Sequence, residues 1–526
     1  MRVRVLRPSR AEAIAALASA ALFAFSFPPF DLVVPVFLCL VPVTVAVARL
    51  VDEGGTPAGA ARLGFWFGLL GYGANLYWIA VALSLFTRLA IAGYVASLLW
   101  LSPFVGAAFA ALFAARRATR LPMAVLLPVV WVALELALNY LLDLSFPWLP
   151  LGLAVAPHPL LAQIADLSGV RGLSFWVALT NGLAADAWLT RHSVRAVAMR
   201  ALAAGALVVC VAGYGAWRLR TTPTRPVAVV AVVQPNVPED EKLNSPDKTR
   251  FMTNLASLTR SALRDADPAL VVWPETALPG YLGDHPAWLD SLRALAAVER
   301  TPILFGVLDV RWKSRQRYDY FNSAMLTDSL GLLGAAEPYH KGYLVPIVER
   351  VPFVNPEWFA GIEYFGGFGR GAPPEPFELP FGRVGVLICY ESIFPQLSRR
   401  YRNHGADLLV NITNDAWFGR SSAPHQHFAH LALRAIETRT GIVRSANTGI
   451  SAYVDPLGRV HGATALFVPA ARSFLASTSD VRTLYVRVGD WLGVLCLLAT
   501  VALVMADRTR RPATRPISAE PIALGE

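Results

Sequence analysis

Three short segments carry residue types that do acyl chemistry. Cys389 ends the apolar run 384–388 and is followed by Tyr390 and Glu391. A thiol where a strand turns toward a helix has backbone N–H groups beside it, which favour the thiolate and can hold an oxyanion. This is the logic of a nucleophile elbow, with cysteine in place of serine. Glu275 ends the run Val271-Val272-Trp273-Pro274. A carboxylate at the end of a buried strand is partly desolvated and suited to accept a proton. Lys341 sits in Tyr339-His340-Lys341-Gly342-Tyr343, with Glu349 a few positions on. A partly buried ammonium there can steady an oxyanion. Each segment has a plainer reading: an inert buried thiol, a turn carboxylate, a snorkelling lysine. Taken singly, the plainer readings are preferred. The order Glu, Lys, Cys, each in its own local setting, points instead to a nucleophile with a base and an oxyanion donor.

Positioning these residues takes an α/β scaffold. Apolar runs, most of them rich in β-branched residues, recur at 227–233, 270–273, 303–310, 384–389 and 408–412, and read as strands. Helical patterns at 248–266, 286–299 and 424–439 lie between or after them. Strands alternating with helices predict an α/β domain. The Gly- and aromatic-rich stretch 358–371 reads as a mobile loop and is assigned as a lid. His425, His427 and His430 are close in sequence, but no H-E-x-x-H pattern accompanies them. A solvated or capping face is expected there, and no metal site. Of the four cysteines, Cys39, Cys210 and Cys496 lie in long apolar runs, so the water-soluble part cannot hold an internal disulfide.

The rest of the chain is far more apolar. The 526 residues are 55% hydrophobic and 16% charged, against about 25% charged in an ordinary soluble domain. Runs at 11–27, 32–50, 64–84, 89–115, 121–141, 173–190, 198–217 and 488–506 predict eight membrane spans. Ala18-Ser19-Ala20 has the look of a cleavage site, but seven further spans favour an uncleaved first span. Arginines cluster before the first span, after spans two, four, six and eight, and are sparse in the alternate loops. By the positive-inside rule both termini are cytoplasmic and the large soluble segment lies outside. The expected division is a seven-span domain at 1–217, a periplasmic catalytic domain at 218–487, a C-terminal span at 488–506 and a cytoplasmic, disordered tail at 507–526. The apolar loop 142–172 is expected to dip into the membrane or lie on it. Glu135, within a span, calls for a partner or a substrate role, Arg171 being a candidate partner. Membrane topology accounts for the net charge of +10, and no nucleic-acid partner is expected.

The W-P-E, H-K and C-Y-E segments in this order resemble the nitrilase (carbon–nitrogen hydrolase) superfamily with its Glu-Lys-Cys triad. The segment Asn411-Ile412-Thr413-Asn414-Asp415-Ala416-Trp417-Phe418-Gly419 and the flanking spans narrow the resemblance to the apolipoprotein N-acyltransferase family. The Phe25-to-Asp31 turn and Phe146-Pro147-Trp148 resemble that family too. The resemblance implies a nitrilase-type αββα sandwich and transfer of a fatty acyl chain from a phospholipid to the N-terminal amine of a diacylglyceryl-cysteine in an apolipoprotein. It implies a thioester on Cys389, Glu275 as base, and Lys341 with the Tyr390 N–H as oxyanion donors. Glu349 and Glu391 would orient Lys341 or the base. Trp417, Phe418 and Tyr343 are assigned to substrate contact. It further implies an inner-membrane protein, expected as a monomer among membrane lipids, without cofactor or metal. Pro235 departs from the family's Gln-Gly-Asn pattern, and the highly charged stretch 240–248 lacks the tryptophan often found there. Two other readings fit the same residues: a membrane-anchored amidase acting on a small amide, and a non-catalytic scaffold. The number of spans argues against the first and the intact triad against the second.

Overall fold

The computed structural model describes residues 7–85, 87–245, 249–314, 317–333, 336–355, 358 and 366–509. Residues 225–478 form two six-stranded sheets. The first contains β1 (Arg225–Gln234), β2 (Leu270–Val272), β3 (Ile303–Ser314), β4 (Arg317–Leu326) and β5 (Tyr339–His340). The second contains β6 (Phe377–Leu379), β7 (Gly382–Ile388), β8 (Leu408–Thr413), β9 (Gly441–Ala446), β10 (Ala452–Val454) and β11 (Val460–His461). The last strand, β12 (Ala470–Thr478), returns to the first sheet, giving the orders β12-β1-β2-β3-β4-β5 and β11-β10-β9-β8-β7-β6. The centre of each sheet is parallel: β1-β2-β3 in one and β7-β8-β9 in the other.

Strand periodicity sorts the layers. Val230 and Val232 of β1 pack into the core shared with Val386, Ile388, Val410 and Ile412 of the second sheet. Their neighbours Ala231 and Val233 point the other way, into a second core with Trp288, Leu292 and Leu295 of the Pro286–Glu299 helix. Alternate residues of one strand thus serve two interfaces. With helices Pro395–Asn403 and Ala423–Thr438 packed by the second sheet, the layers run helix, sheet, sheet, helix, the nitrilase-type arrangement.

Outside the sheets, four described helices are long and apolar enough to cross a membrane: Val33–Asp52, Ala90–Thr119, Val194–Thr221 and Trp491–Thr509. The pair Pro57–Asn75 and Trp78–Ser84, bent by 58°, makes a fifth if taken as one broken span. The other expected spans are helical too, but Arg10–Phe25 and Met123–Asn139 have only 16 and 17 residues, short of the roughly 20 that a bilayer core requires. Val170–Leu189 has 20 residues and holds buried Arg171 and Asp186. Its Asp186 accepts from the first N–H groups of the Met123–Asn139 helix, at 3.1 and 2.9 Å, satisfying donors that a helix start leaves orphaned. The expected Glu135–Arg171 pair does not form. Glu135 accepts from Trp131 Nε1 (2.9 Å) and Leu151 N (2.8 Å), while Arg171 pairs with Asp490. Of the tail expected to be disordered, residues 510–526 lie outside the described residues.

Candidate active site

Glu275, Lys341 and Cys389 line one cavity of about 460 Å³. Each lies just past the carboxyl end of a strand: Glu275 follows β2, Lys341 follows β5 and Cys389 follows β7. Ligand sites in open parallel sheets lie beyond the carboxyl ends of the strands, because the chain there is free to turn.

Lys341 is 1% exposed and donates to Glu349 Oε1 (2.8 Å) and Glu275 Oε1 (3.3 Å). Burial alone favours the neutral amine, but the two carboxylates outweigh it and hold the ammonium charged, above the ordinary lysine range. Glu275 is aimed from both ends. Asn322 Nδ2 donates to its Oε1 at 2.6 Å and the Asn414 backbone N–H donates to its Oε2 at 2.8 Å. Asn322 also donates to Glu349 at 3.0 Å, so one amide spans the two acids that flank Lys341.

Cys389 is buried, with φ of +49°. A non-glycine residue in the left-handed region costs roughly 1–3 kcal/mol and marks a shaped elbow. Burial raises the thiol above its ordinary range; Glu275 adds to that and Lys341 opposes it. Burial thus favours the neutral thiol, and a thiol in this setting would need a base to react as a nucleophile.

The two accessory acids differ. Glu349 bonds Lys341 directly, as expected. Glu391 bonds neither Lys341 nor Glu275; it accepts from Tyr339 OH (2.6 Å), Gly342 N (2.7 Å), Tyr343 N (3.2 Å) and Ile388 N (2.9 Å). It thereby ties the lysine loop to the strand that delivers the thiol. Burial pushes its carboxyl up, partly offset by these donors. The Tyr390 hydroxyl donates to the Ser145 carbonyl at 2.7 Å.

The cavity runs from the triad toward the apolar helices. Its far wall comes from Trp78, Ile79 and Leu83 of the bent pair, from Gly93, Trp100 and Leu101 of the Ala90–Thr119 helix, and from Phe146 and Trp148. Loop 142–172 is thus a wall of the site, with Trp148 only 1% exposed. One residue ties this wall together. Gln426 Oε1 accepts from Trp78 Nε1 (3.1 Å) and Trp148 Nε1 (2.9 Å), while its Nε2 donates to the carbonyls of Asn75 (3.2 Å) and Pro28 (3.3 Å). Trp417 and Phe418 line the cavity, with the Phe418 ring 5.0 Å from that of Trp78. Tyr343 packs elsewhere: its ring lies 4.3 Å from Phe394 and its hydroxyl accepts from Gln396. Lys242, from the charged stretch read as a departure, and Glu239 just before that stretch are buried in the wall; Lys242 donates to the Thr276 carbonyl (3.0 Å) and Glu239 accepts from Asn414 Nδ2 (2.7 Å). Of the lid stretch 358–371, residues 359–365 lie outside the described residues, and Phe368 lines the cavity.

The expected solvated histidine face is corrected. His425 is exposed, but His427 and His430 are at 0% and 1% exposure. His427 contacts the Cys389 carbonyl, and His430 contacts the Trp148 carbonyl. No group of three or more His, Cys, Asp or Glu is placed to hold a metal among the described residues. Asn322, Gln426 and His427 are the site residues that sequence reasoning missed or misread.

Residues 229–467 match the carbon–nitrogen hydrolase family model, and residues 19–183 match the apolipoprotein N-acyltransferase N-terminal domain. An apolipoprotein N-acyltransferase of Geobacter metallireducens is 34% identical, covering 95% of this chain and 96% of its own. One of Bradyrhizobium diazoefficiens is also 34% identical, covering 95% of each chain. Among solved structures, an amidase from Nesterenkonia sp. matches 51% of this chain and 95% of its own, with 17% identity and a TM-score of 0.37. The near full-length relatives, with both family models on the same chain, establish that this protein belongs to the apolipoprotein N-acyltransferase family of enzymes.

Proposed function

We propose that this acyltransferase moves a fatty acyl chain from a phospholipid to the α-amino group of a diacylglyceryl-cysteine at an apolipoprotein N-terminus, through a thioester on Cys389. Glu275 takes the thiol proton as sulfur attacks the donor's ester carbonyl. The tetrahedral oxyanion is held by Lys341 and the Tyr390 N–H. The ester C–O bond breaks, Glu275 returns the proton to the departing alkoxide, and a lysophospholipid leaves. The acceptor amine then attacks the thioester, Glu275 takes its proton, the C–S bond breaks and sulfur is reprotonated. The product is an amide. No cofactor takes part, since every proton and electron pair is accounted for by these groups. Glu349 keeps the ammonium in place; Glu391 keeps the two delivering segments in register.

The observation that carries this reading is the cavity itself. It joins a Glu-Lys-Cys triad to an apolar wall built from helices of the membrane-spanning kind. A small soluble amide needs no such wall; an acyl chain does. Trp417 and Phe418 would contact that chain; Tyr343, packed on Phe394 outside the cavity lining, would not. The topology proposed with it has eight spans, both termini cytoplasmic and segment 218–487 on the periplasmic face of the inner membrane. Domains at 1–217, 218–487, 488–506 and 507–526 follow, in a chain that acts as a monomer with phospholipid and diacylated apolipoprotein as partners. The purified chain incubated with phospholipid alone should gain one acyl mass on the peptide containing Cys389 and release lysophospholipid. Adding a diacylated lipopeptide should discharge it as amide. Undiminished transfer by Cys389→Ala would refute the mechanism.

A further inference from the structure

His427 takes no part in the steps above, yet it is fully buried in the cavity wall beside the nucleophile. The geometry points to His427 as a positioning residue that aims the Tyr390 N–H at the developing oxyanion, an assignment that rests on the thioester reading. The Cys389 carbonyl and the Tyr390 N–H belong to one planar trans peptide unit, so they point in opposite directions and fixing one fixes the other. The Cys389 carbonyl meets His427 Nε2 at 3.0 Å and accepts from Ser392 Oγ at 3.0 Å. A carbonyl only accepts, so the assignment places the proton on Nε2, which also meets Ser392 Oγ at 2.9 Å; the other tautomer would place it on Nδ1, toward Asp415 Oδ1. Nδ1 then accepts from Arg444 at 3.3 Å.

The imidazole is itself held. Arg444 is anchored on Asp415 Oδ2 (2.6 Å), Asn411 Oδ1 (2.7 Å) and the Ile450 carbonyl (3.1 Å). Asp415 Oδ1, 3.1 Å from Nδ1, also takes the Thr413 hydroxyl at 2.9 Å. The ring stacks on Trp148 at 5.7 Å and meets the Phe418 edge at 6.2 Å. Cys389 sits in a strained elbow at positive φ, and the anchor on its carbonyl fixes the orientation of the peptide that follows. Donation to the carbonyl also polarises the peptide and strengthens its N–H as a donor.

The test separates aiming from folding. Alkylation of a thiol by iodoacetamide displaces iodide and forms no oxyanion, so its rate at Cys389, read from the mass of its peptide, reports only the thiol and its base. In full-length protein with phosphatidylethanolamine micelles, His427→Phe should slow lysophospholipid release at saturation about 10²-fold, the usual effect of losing an oxyanion donor. KM and the alkylation rate should stay within about twofold. His427→Gln, whose amide donates in the same direction, should recover most of the rate. His427→Asn, one methylene shorter, should not, and it stands in if the phenylalanine variant does not fold. Alkylation falling in parallel with transfer would reduce His427 to a structural residue. Unchanged transfer, or no advantage of Gln over Asn, would also overturn the assignment. Failure of the thioester reading shows separately, as lysophospholipid release that survives Cys389→Ala.

Discussion

The two sheets contribute opposite halves of the site and hold them by different means. The first sheet supplies Glu275, Asn322 and Lys341, fixed mainly by one another through buried charge. The second supplies Cys389 and Asn414, and the Ala423–Thr438 helix packed by it supplies His427; these are fixed through backbone groups and a strained turn. Glu349 and Glu391 mark the contrast. Glu349 meets an ammonium, together with the Asn322 amide and the Val345 N–H, whereas Glu391 meets three N–H groups and a hydroxyl and no cation. The charged half depends on every member being present, since removing one leaves a buried ion alone. The hydrogen-bonded half tolerates loss of charge but not loss of direction.

Removing the ammonium should break this contrast most strongly. Lys341→Met leaves Glu275 and Glu349 buried without their cation, so it should cost about 3–5 kcal/mol of stability and abolish thioester formation. Adding Glu349→Gln should restore much of the melting temperature and none of the activity. A single variant as stable as the parent would show that the charged half is not self-supporting. Next in size, Glu391→Gln turns an amide nitrogen toward backbone donors and should cost about 1–3 kcal/mol. Hydrogen exchange at the Gly342 and Ile388 amides should quicken in that variant and not in Glu349→Gln; equal exchange in both would erase the distinction. Asn322→Ala should be milder, slowing transfer about tenfold, the effect of roughly 1.4 kcal/mol lost at one hydrogen bond to charged groups, without blocking acylation of Cys389. A loss as deep as that of Lys341→Met would mean that Asn322 does more than aim Glu275.

What was legible in the sequence follows the same division. Strands β2, β7 and β8 announce themselves as apolar runs because they are buried on both faces, and the chemistry at their ends is therefore easy to place. Strand β4 reads Arg-Tyr-Asp-Tyr-Phe-Asn-Ser-Ala-Met-Leu, with no clean alternation, so Asn322 is invisible as a site residue until β4 is paired with β3 and β5. The only hint is an amide in an aromatic stretch. His427 and Gln426 were legible as residues but not as buried ones. The Ala423–Thr438 helix packs against the second sheet on one side and the apolar helices on the other, and a polar stripe between two walls looks in sequence like a solvated face. The span count was less legible than the spans, because helices of 16 and 17 residues start on side-chain caps, Ser9 for the first and buried Asp186 for the second, that an apolar run does not show.

The smallest expected effect compares one histidine from each half. Burial, with help from Arg311, pushes His340 down to about 4. Burial and then Arg444 lower His427. Both are neutral when folded, whereas an unfolded imidazole takes a proton near pH 6.5. The unfolded chain thus binds protons that the folded chain does not, and stability falls as pH drops below about 6.5. It is fully present above that value, and for His340 the loss continues down to about 4. His340 should account for about 1 kcal/mol between pH 6.5 and 5.5, so His340→Gln should flatten the melting temperature against pH over that unit by a similar amount, and His427→Gln should flatten it in the same direction. Transfer at pH 7.5 should part them. His340 hydrogen-bonds Ser323 at 2.7 Å and stacks on Phe321, away from the thiol, so both His340→Gln and His340→Asn should keep the rate, whereas His427→Asn should lose it and His427→Gln should not. Flattening at both positions with transfer lost only in His427→Asn would separate a histidine that only stabilises its surroundings from one that also directs the chemistry.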